Sequence, residues 1–179
     1  GTTNFRVVDN VGPIFVSPPM NVTVDCSQIP SPTITAVDYC DMSVTPILVE
    51  TSTKGTDETQ CSYYNYTITR SWSVTDACGN AASYQQVITV RDNEAPRFDI
   101  LNTINISCTT FDNNSDSIYL YNITDNCSDV TVTFTDTIRS IGCNTVVDRR
   151  YTLRDVCGNI STFDQVINVL QDVDPIIVT

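Results

Sequence analysis

The chain has 179 residues, 21 acidic against 9 basic side chains, a net charge of −12 and no histidine. Without histidine there is no Ser-His-Asp or Cys-His nucleophilic chemistry, and no zinc site of the usual His-containing kinds. Lys54 is the one lysine, so lysine-based covalent catalysis is poorly supplied. So few cations also suit neither nucleic-acid phosphates nor an anionic membrane surface. No apolar run approaches the ~20 residues that span a bilayer, and Gly1 reads as a processed or trimmed end. Eight cysteines without any Cys-x-x-Cys spacing point to disulfides, hence to an oxidising compartment: outside a cell, a periplasm or a secretory lumen.

The chain repeats itself. Asp76-Ala77-Cys78-Gly79-Asn80 recurs as Asp155-Val156-Cys157-Gly158-Asn159, 79 positions later. Arg70-Ser71-Trp72 lies over Arg149-Arg150-Tyr151, and Gln86-Val87-Ile88 over Gln165-Val166-Ile167, at the same offset. The cysteines correspond as Cys26 with Cys108, Cys40 with Cys127, Cys61 with Cys143 and Cys78 with Cys157. Each repeat therefore owns four cysteines.

In chain order, residues 1–12 come first. Val7-Val8-Asp9-Asn10-Val11-Gly12-Pro13 matches Val90-Arg91-Asp92-Asn93-Glu94-Ala95-Pro96. Residues 1–12 are thus expected to be the final strand of a preceding repeat, with Phe5 and Val7 in the places of Ile88 and Val90. Repeat one, 13–95, reads as alternating β-structure rich in Thr, Val, Ile and Tyr. Strands are expected at about 20–26, 33–39, 43–50, 63–75 and 82–91, with a turn at Pro30 and Pro32 and a polar loop over 51–60. Repeat two occupies 96–175. Residues 176–179 correspond to the opening strand of a following repeat. The whole reads as a piece of a longer tandem array; a complete two-domain protein is the alternative. About seven short strands per repeat give an all-β fold: two tandem immunoglobulin- or fibronectin-III-like β-sandwiches, each with two disulfides.

Strand direction predicts the bridges. Strand 20–26 runs up and 33–39 down, so Cys26 and Cys40 lie at opposite ends. Cys61 precedes, and Cys78 follows, the long descending strand 63–75. The expected pairs are Cys26–Cys61 and Cys40–Cys78, with Cys108–Cys143 and Cys127–Cys157 in repeat two. Gly79-Asn80 and Gly158-Asn159 are expected in hairpin turns, because Gly and Asn tolerate positive φ. Asp76 and Asp155 would cap those turns, and Trp72 and Tyr151 would fill equivalent core positions.

These landmarks resemble the hyalin-repeat family and its cysteine-rich, HYR-like relatives. The matching residues are Asp38, Cys40, Trp72, Asp76, Gly79, Asn80, Val90, Asp92 and Pro96, then Asp125, Cys127, Tyr151, Asp155, Gly158, Asn159, Val169, Asp172 and Pro175. The Arg-x-Trp-x-Val-x-Asp-x-Cys-Gly-Asn form is most similar to tandem repeats of large surface adhesins in gliding Bacteroidetes. The resemblance implies an extracellular immunoglobulin-like module, exported by a dedicated secretion system and anchored at the outer surface. Repeat two departs from the pattern at Tyr151, and its junction spacing shortens from Asp92–Pro96 to Asp172–Pro175.

The linker Asp92-Asn93-Glu94-Ala95-Pro96 also resembles cadherin-type junctions, which makes Asp92 and Glu94 candidate calcium ligands; a solvated linker is the plainer reading. Asn21, Asn65, Asn105, Asn113, Asn122, Asn126 and Asn159 open Asn-x-Ser/Thr triplets. Asp116-Ser117-Ile118 and Asp136-Thr137-Ile138 resemble a Bacteroidetes O-glycosylation motif, with Ser117 and Thr137 as acceptors. Only carboxylates remain for catalysis, and the glutamates are Glu50, Glu58 and Glu94 alone; no enzyme and no resident cofactor are expected. The functional expectation is a rod-forming surface adhesin fragment, acting as stalk or as surface-binding module. Its partners would be neighbouring repeats, other cells, and polysaccharide or other extracellular surfaces. The alternatives are a filament subunit completed by strand addition, and a calcium-rigidified cell–cell adhesion module.

Overall fold

The computed structural model describes residues 3, 4, 6–109, 111, 120–141 and 144–171, with Ser140 and Ile141 described by backbone alone. The chain divides into two compact units between Asp92 and Asn93.

Unit one holds β1 (Ile14–Val16), β2 (Val22–Val24), β3 (Thr35–Val37), β4 (Ile47–Ser52), a single 3₁₀ turn at Cys61–Tyr63, β5 (Tyr66–Thr75) and β6 (Ala81–Val90). One sheet has the order β2-β6-β5-β4, and a two-stranded sheet pairs β1 with β3. β2 runs parallel to β6, while β5 is antiparallel to both β6 and β4. These are the directions that the sequence predicts for the strands at 20–26, 43–50, 63–75 and 82–91. The chain leaves β1 through Ser17, at a φ of 48°, then crosses Pro18 and Pro19 to reach the other sheet.

Unit two repeats the plan. β7 (Arg97–Ile100), β8 (Thr103–Ser107), β9 (Leu120–Thr124), β10 (Val130–Ile141), β11 (Asn144–Asp155) and β12 (Ile160–Leu170) follow in order. The larger sheet is β8-β12-β11-β10 and the smaller pairs β7 with β9. Both units are all-β sandwiches, each with six strands among the described residues. β1 and β7 lie outside the strand ranges expected for repeat one, and directly follow the junction prolines as the opening strand expected at 176–179 follows Pro175. Each is only three or four residues long and starts beside a proline.

Period-two alternation drives the core. Along β5, Ile68, Arg70, Trp72 and Val74 turn inward and are at most 5% exposed. Ile68 packs with Ile88 and Val90, and Val24, Cys26 and Tyr66 close around them. Trp72, 2% exposed, sits 6.3 Å from Tyr84, whose ring lies 6.1 Å from Phe15 of the small sheet. These three rings tie the two layers together. In unit two Tyr151 occupies the position of Trp72, fully buried with Leu120 and Leu153.

The cysteines depart from expectation. Cys26, Cys61, Cys127 and Cys157 are disulfide-bonded, two bonded cysteines in each unit among the described residues. Cys40 and Cys78 are exposed thiols, so the bridge expected between them is not formed. The two turns that carry them are joined instead by the amide of Ala77, which donates to Asp41 Oδ2 at 3.1 Å. Cys108 is exposed, and Cys143, its expected partner, lies outside the described residues. The backbone anchors that segment, with the Cys108 amide bonded to the Leu170 carbonyl at 3.0 Å.

Residues 6–13 form no strand here, and Val7 is 89% exposed. Phe5, Asn113, Ser117, Asp172, Pro175 and residues 176–179 lie outside the described residues.

Trp72→Ala should destabilise unit one by about 3–5 kcal/mol, the usual cost of emptying a large aromatic site. Tyr39→Ala, at a position 89% exposed, should change stability by less than about 0.5 kcal/mol. Denaturant unfolding followed by tryptophan fluorescence in the second variant, and by circular dichroism in both, checks the pair. Equal small effects would remove Trp72 from the core's support.

Candidate functional site

The repeated Asp-x-Cys-Gly-Asn segment closes the β5–β6 hairpin. Gly79 takes a φ of 92° and Gly158 one of 91°, a conformation that a side chain would strain. Asp76 Oδ1 accepts the amides of Cys78 at 2.9 Å and Asn80 at 2.8 Å, and Oδ2 accepts Asn80 Nδ2 at 2.7 Å. Asp155 receives the Asn159 amide at 2.8 Å and Asn159 Nδ2 at 2.6 Å in the same way. Both aspartates are nearly buried, 6% and 5% exposed. The Asn80 side-chain bond, with smaller help from backbone amides, holds the Asp76 carboxyl below the ordinary aspartate range.

Around the unit-one hairpin the structure gathers more acid than the motif alone announces. Oxygens of Asp9, Asp38 and Asp76 all lie within 4.8 Å of one another. Asp38 Oδ1 accepts the amides of Cys40 at 2.8 Å and Asp41 at 2.9 Å. Asn80 Nδ2 reaches the carbonyls of Asp9 and Val11, each at 3.4 Å, and so docks the lead-in segment on the hairpin. The Cys40 thiol beside them is pushed up, first by the Asp9 carboxylate, then by burial, Asp38 and Cys78. Asp41 is held low by the Ser43 hydroxyl, 2.7 Å away. Asp9 and Asp38 stand 67 and 38 positions before Asp76, which is why spacing did not group them. The available signal was recurrence: their sequence counterparts are Asp92 and Asp125.

The two candidate calcium ligands sit differently. Asp92 is 2% exposed, and its amide donates to Asn65 Oδ1 at 2.6 Å. Glu94 is exposed and paired with Arg97 at 3.1 Å.

Sequence reading also missed two buried polar anchors per unit. Arg70, 4% exposed, donates to Glu50 Oε2 at 2.7 Å and to the Pro30 carbonyl at 2.8 Å. Arg149, fully buried, grips Asp136 through Nε and Nη2 at 2.8 Å each and stacks 3.9 Å over Phe134. Gln86 Nε2 donates to the Met20 carbonyl and Gln165 Nε2 to that of Leu101. Their recurrence 79 positions apart was the signal.

The glycosylation candidates separate by what their side chains do. Asn122 Nδ2 donates to Asp99 at 2.7 Å and Asn159 Nδ2 to Asp155, so the atom that a glycan needs is engaged in both. Asn21 and Asn65 accept backbone amides through Oδ1, and Asn105 accepts from Asn168 Nδ2. Asn126 is exposed. Thr137 is exposed on β10 and lines a shallow depression of about 450 Å³ with Thr135, Asp148, Arg150 and Asp164. Arg139 and Arg150 hold the Asp148 and Asp164 carboxyls low.

A folded-state carboxyl held below its unfolded value stabilises above that unfolded value, and the contribution is lost as pH falls through the folded one. Asp76 therefore supports unit one at neutral pH, and that support fades below about pH 4. Asp76→Asn should lower the melting temperature at pH 7 and flatten the acid-side decline. Thermal melts over a pH series check both; a variant with the parent's melting temperature and acid profile would contradict the role given to the carboxylate.

A family profile described as "HYR-like domain with 4 cysteines" matches residues 14–90. No curated protein matches the chain in sequence. Among solved structures, human protocadherin-24 EC1-2 is 12% identical, covering 93% of this chain and 100% of its own, at a TM-score of 0.33. Drosophila N-cadherin EC1-3 is 15% identical over 90% of this chain and 68% of its own, at a TM-score of 0.36. Drosophila N-cadherin EC1-4 is 16% identical over 91% of this chain and 51% of its own, at a TM-score of 0.32. The chain is thus similar over residues 14–90 to an HYR-like, four-cysteine domain.

Proposed function

We propose that this chain is a non-enzymatic extracellular adhesion module, whose tandem immunoglobulin-like repeats serve as a stalk or as serial weak contacts to an outer surface. The observation that carries this reading is the repeated unit itself. Two sandwiches share one strand order and one carboxylate-capped hairpin, and in unit one that hairpin grips the segment leading into it. A docked lead-in favours stiffness where one repeat follows another. Bonded cysteines in both units favour an oxidising compartment. Surface adhesion suits such repeats, since many weak contacts in series give avidity without one tight site. Gliding adhesins are the narrower version of this reading, and polysaccharide the simplest surface.

The native polypeptide's length tests it. An antibody to residues 14–90 should detect, without reduction, one chain many times larger than 19.8 kDa. A native chain near 19.8 kDa would overturn the array and favour a filament subunit joined by strand addition.

A second reading, a cation-stiffened cell–cell adhesion module, is favoured by the Asp9, Asp38 and Asp76 group. Calcium–oxygen bonds of about 2.4 Å keep any two ligands within about 4.8 Å of each other, and these oxygens all lie within 4.8 Å of one another. Asp125, the counterpart of Asp38, has its Oδ2 buried with no hydrogen-bond partner among the described residues. Asp9, Asp38 and Asp76 would hold the ion and neutralise their mutual repulsion through it. Millimolar calcium should then raise the melting temperature, EDTA should reverse the rise, and Asp38→Asn should abolish it. No shift with calcium would refute this second reading and leave the stalk untouched.

A further inference from the structure

Cations are scarce in this chain, and most of them have a carboxylate partner: Arg70, Arg97, Arg139, Arg149 and Arg150 are all in ion pairs. Among the described residues Lys54 and Arg91 are in none, although acidic side chains outnumber basic ones 21 to 9. Both are exposed, and both border the same place. Arg91 lines a shallow hollow of about 260 Å³ with Thr53, Asn65, Tyr66, Thr67 and Thr89. Lys54 Nζ lies 5.5 Å from the centre of the Tyr66 ring and 3.7 Å from that of Tyr63. The hollow is thus an island of positive charge on a chain whose net charge is −12.

The backbone holds this hollow in shape. The Thr53 amide donates to the Thr67 carbonyl at 3.0 Å and the Gly55 amide to the Ser62 carbonyl at 2.8 Å, so Lys54 sits between two backbone ties. The Thr53 and Thr67 hydroxyls bond each other at 3.1 Å. Asn65 Oδ1 accepts the Asp92 amide at 2.6 Å, which leaves Nδ2 to donate outward. Unit two carries the same hollow without its charge. Asn144, Val146, Asn168 and Leu170 stand 79 positions after Asn65, Thr67, Thr89 and Arg91. With Asn105 they line a depression of about 210 Å³. Leu170 replaces the guanidinium there, and Val146 a hydroxyl. The frame supplies the shape in both units, so the polar groups of unit one are not there to build the sandwich.

We propose that the unit-one hollow binds a sugar ring bearing a carboxylate, one ring of an anionic extracellular polysaccharide. Arg91 presents a planar fork that matches a carboxylate. Lys54 adds a second positive charge from the far side of Tyr66. Thr53, Thr67, Thr89 and Asn65 supply hydroxyl and amide groups, the donors and acceptors that ring hydroxyls require. A volume of about 260 Å³ is smaller than the usual pocket for a drug-sized ligand and suits one ring. The hydroxyl-rich lining separates a sugar from an acidic peptide, whose carboxylate would use the cations alone. The rest of this acidic chain repels a polyanion, so the contact is weak and confined to the hollow. The inference rests on the adhesion reading for the presence of a polysaccharide, and gives one of its serial contacts a chemistry.

The test titrates the purified, isotope-labelled chain with trigalacturonate in calcium-free, low-salt buffer and follows the NMR shifts. Signals of Thr53, Asn65, Thr67, Thr89 and Arg91 should move, while those of Asn144, Val146, Asn168 and Leu170 stay still. Raising the salt to about 300 mM should weaken binding several-fold, because the charges are exposed. Arg91→Gln should weaken it by about five- to ten-fold and Lys54→Gln by about two-fold. Both side chains are exposed, so neither change should alter the melting temperature. No movement at the hollow, equal movement in unit two, or equal binding of neutral maltotriose would overturn the proposal. So would equal binding of a triglutamate peptide, which would make the hollow a site for carboxylates of any kind. None of these outcomes bears on the native chain's length, so the adhesion reading stands or falls separately.

Discussion

One carboxylate holds each repeat in register. Asp76 spends both oxygens on the four residues after it, and Asp155 does the same. The hairpin needs a glycine at positive φ, and such a turn has several competing geometries. A buried charge that is fully hydrogen-bonded selects one of them, because any slip would leave the charge unpaired and desolvated. The consequence reaches along the sheet. The turn fixes Thr75 opposite Ala81, and from there the ten-residue pairing of β5 with β6 follows to Tyr66 opposite Val90. A one-residue slip would turn Trp72 and Ile88 out to solvent.

The edges of the same sheet are set by a second buried charge. Arg70 stands opposite Glu50 on β4, and Arg149 opposite Asp136 on β10. A guanidinium at such depth is costly unless its donors are satisfied. Each unit meets that demand from the neighbouring edge strand, and unit two adds the face of Phe134. The pairing is therefore a registry device: the edge strand must present its carboxylate at one height. Gln86 and Gln165 do the equivalent for the opposite edge, reaching the backbone just before β2 and β8. Turn, centre and both edges are thus pinned by polar groups, over a core whose apolar part is small, as expected for sandwiches of about ninety residues.

This division explains what could be read in the sequence. Hairpins, sheet directions and the shared place of Trp72 and Tyr151 were legible, because alternation and turn chemistry are local. The registry arginines were hidden by the same alternation, since Arg70 occupies an inward position where an apolar residue is expected. β1, only three residues long, is too brief for alternation to mark and shows only through the repeat, as the counterpart of the opening strand expected at 176–179. The Asp9, Asp38 and Asp76 group joins segments far apart in sequence, so only the repeat offset connects them. Bridge assignment failed for Cys40 and Cys78 because strand parity places sulfurs at one end of a sandwich without stating whether they are joined.

The two units then differ where the frame makes no demand. Ile14 stands opposite Val37 in the small sheet of unit one, and both are more than half exposed. The same cross-strand place in unit two is Arg97 opposite Thr124. On the edge strands Ile47 and Val49 of β4 are more than half exposed, and the matching heights of β10 carry Thr133 and Thr135. The fold accepts either chemistry at these positions, so neither is there to build the sandwich. Registry is held by inward carboxylates, arginines and glutamines common to both units, which frees the outer faces to diverge. Repeats built this way can keep one mechanical frame along an array while each presents a different surface to what lies outside it.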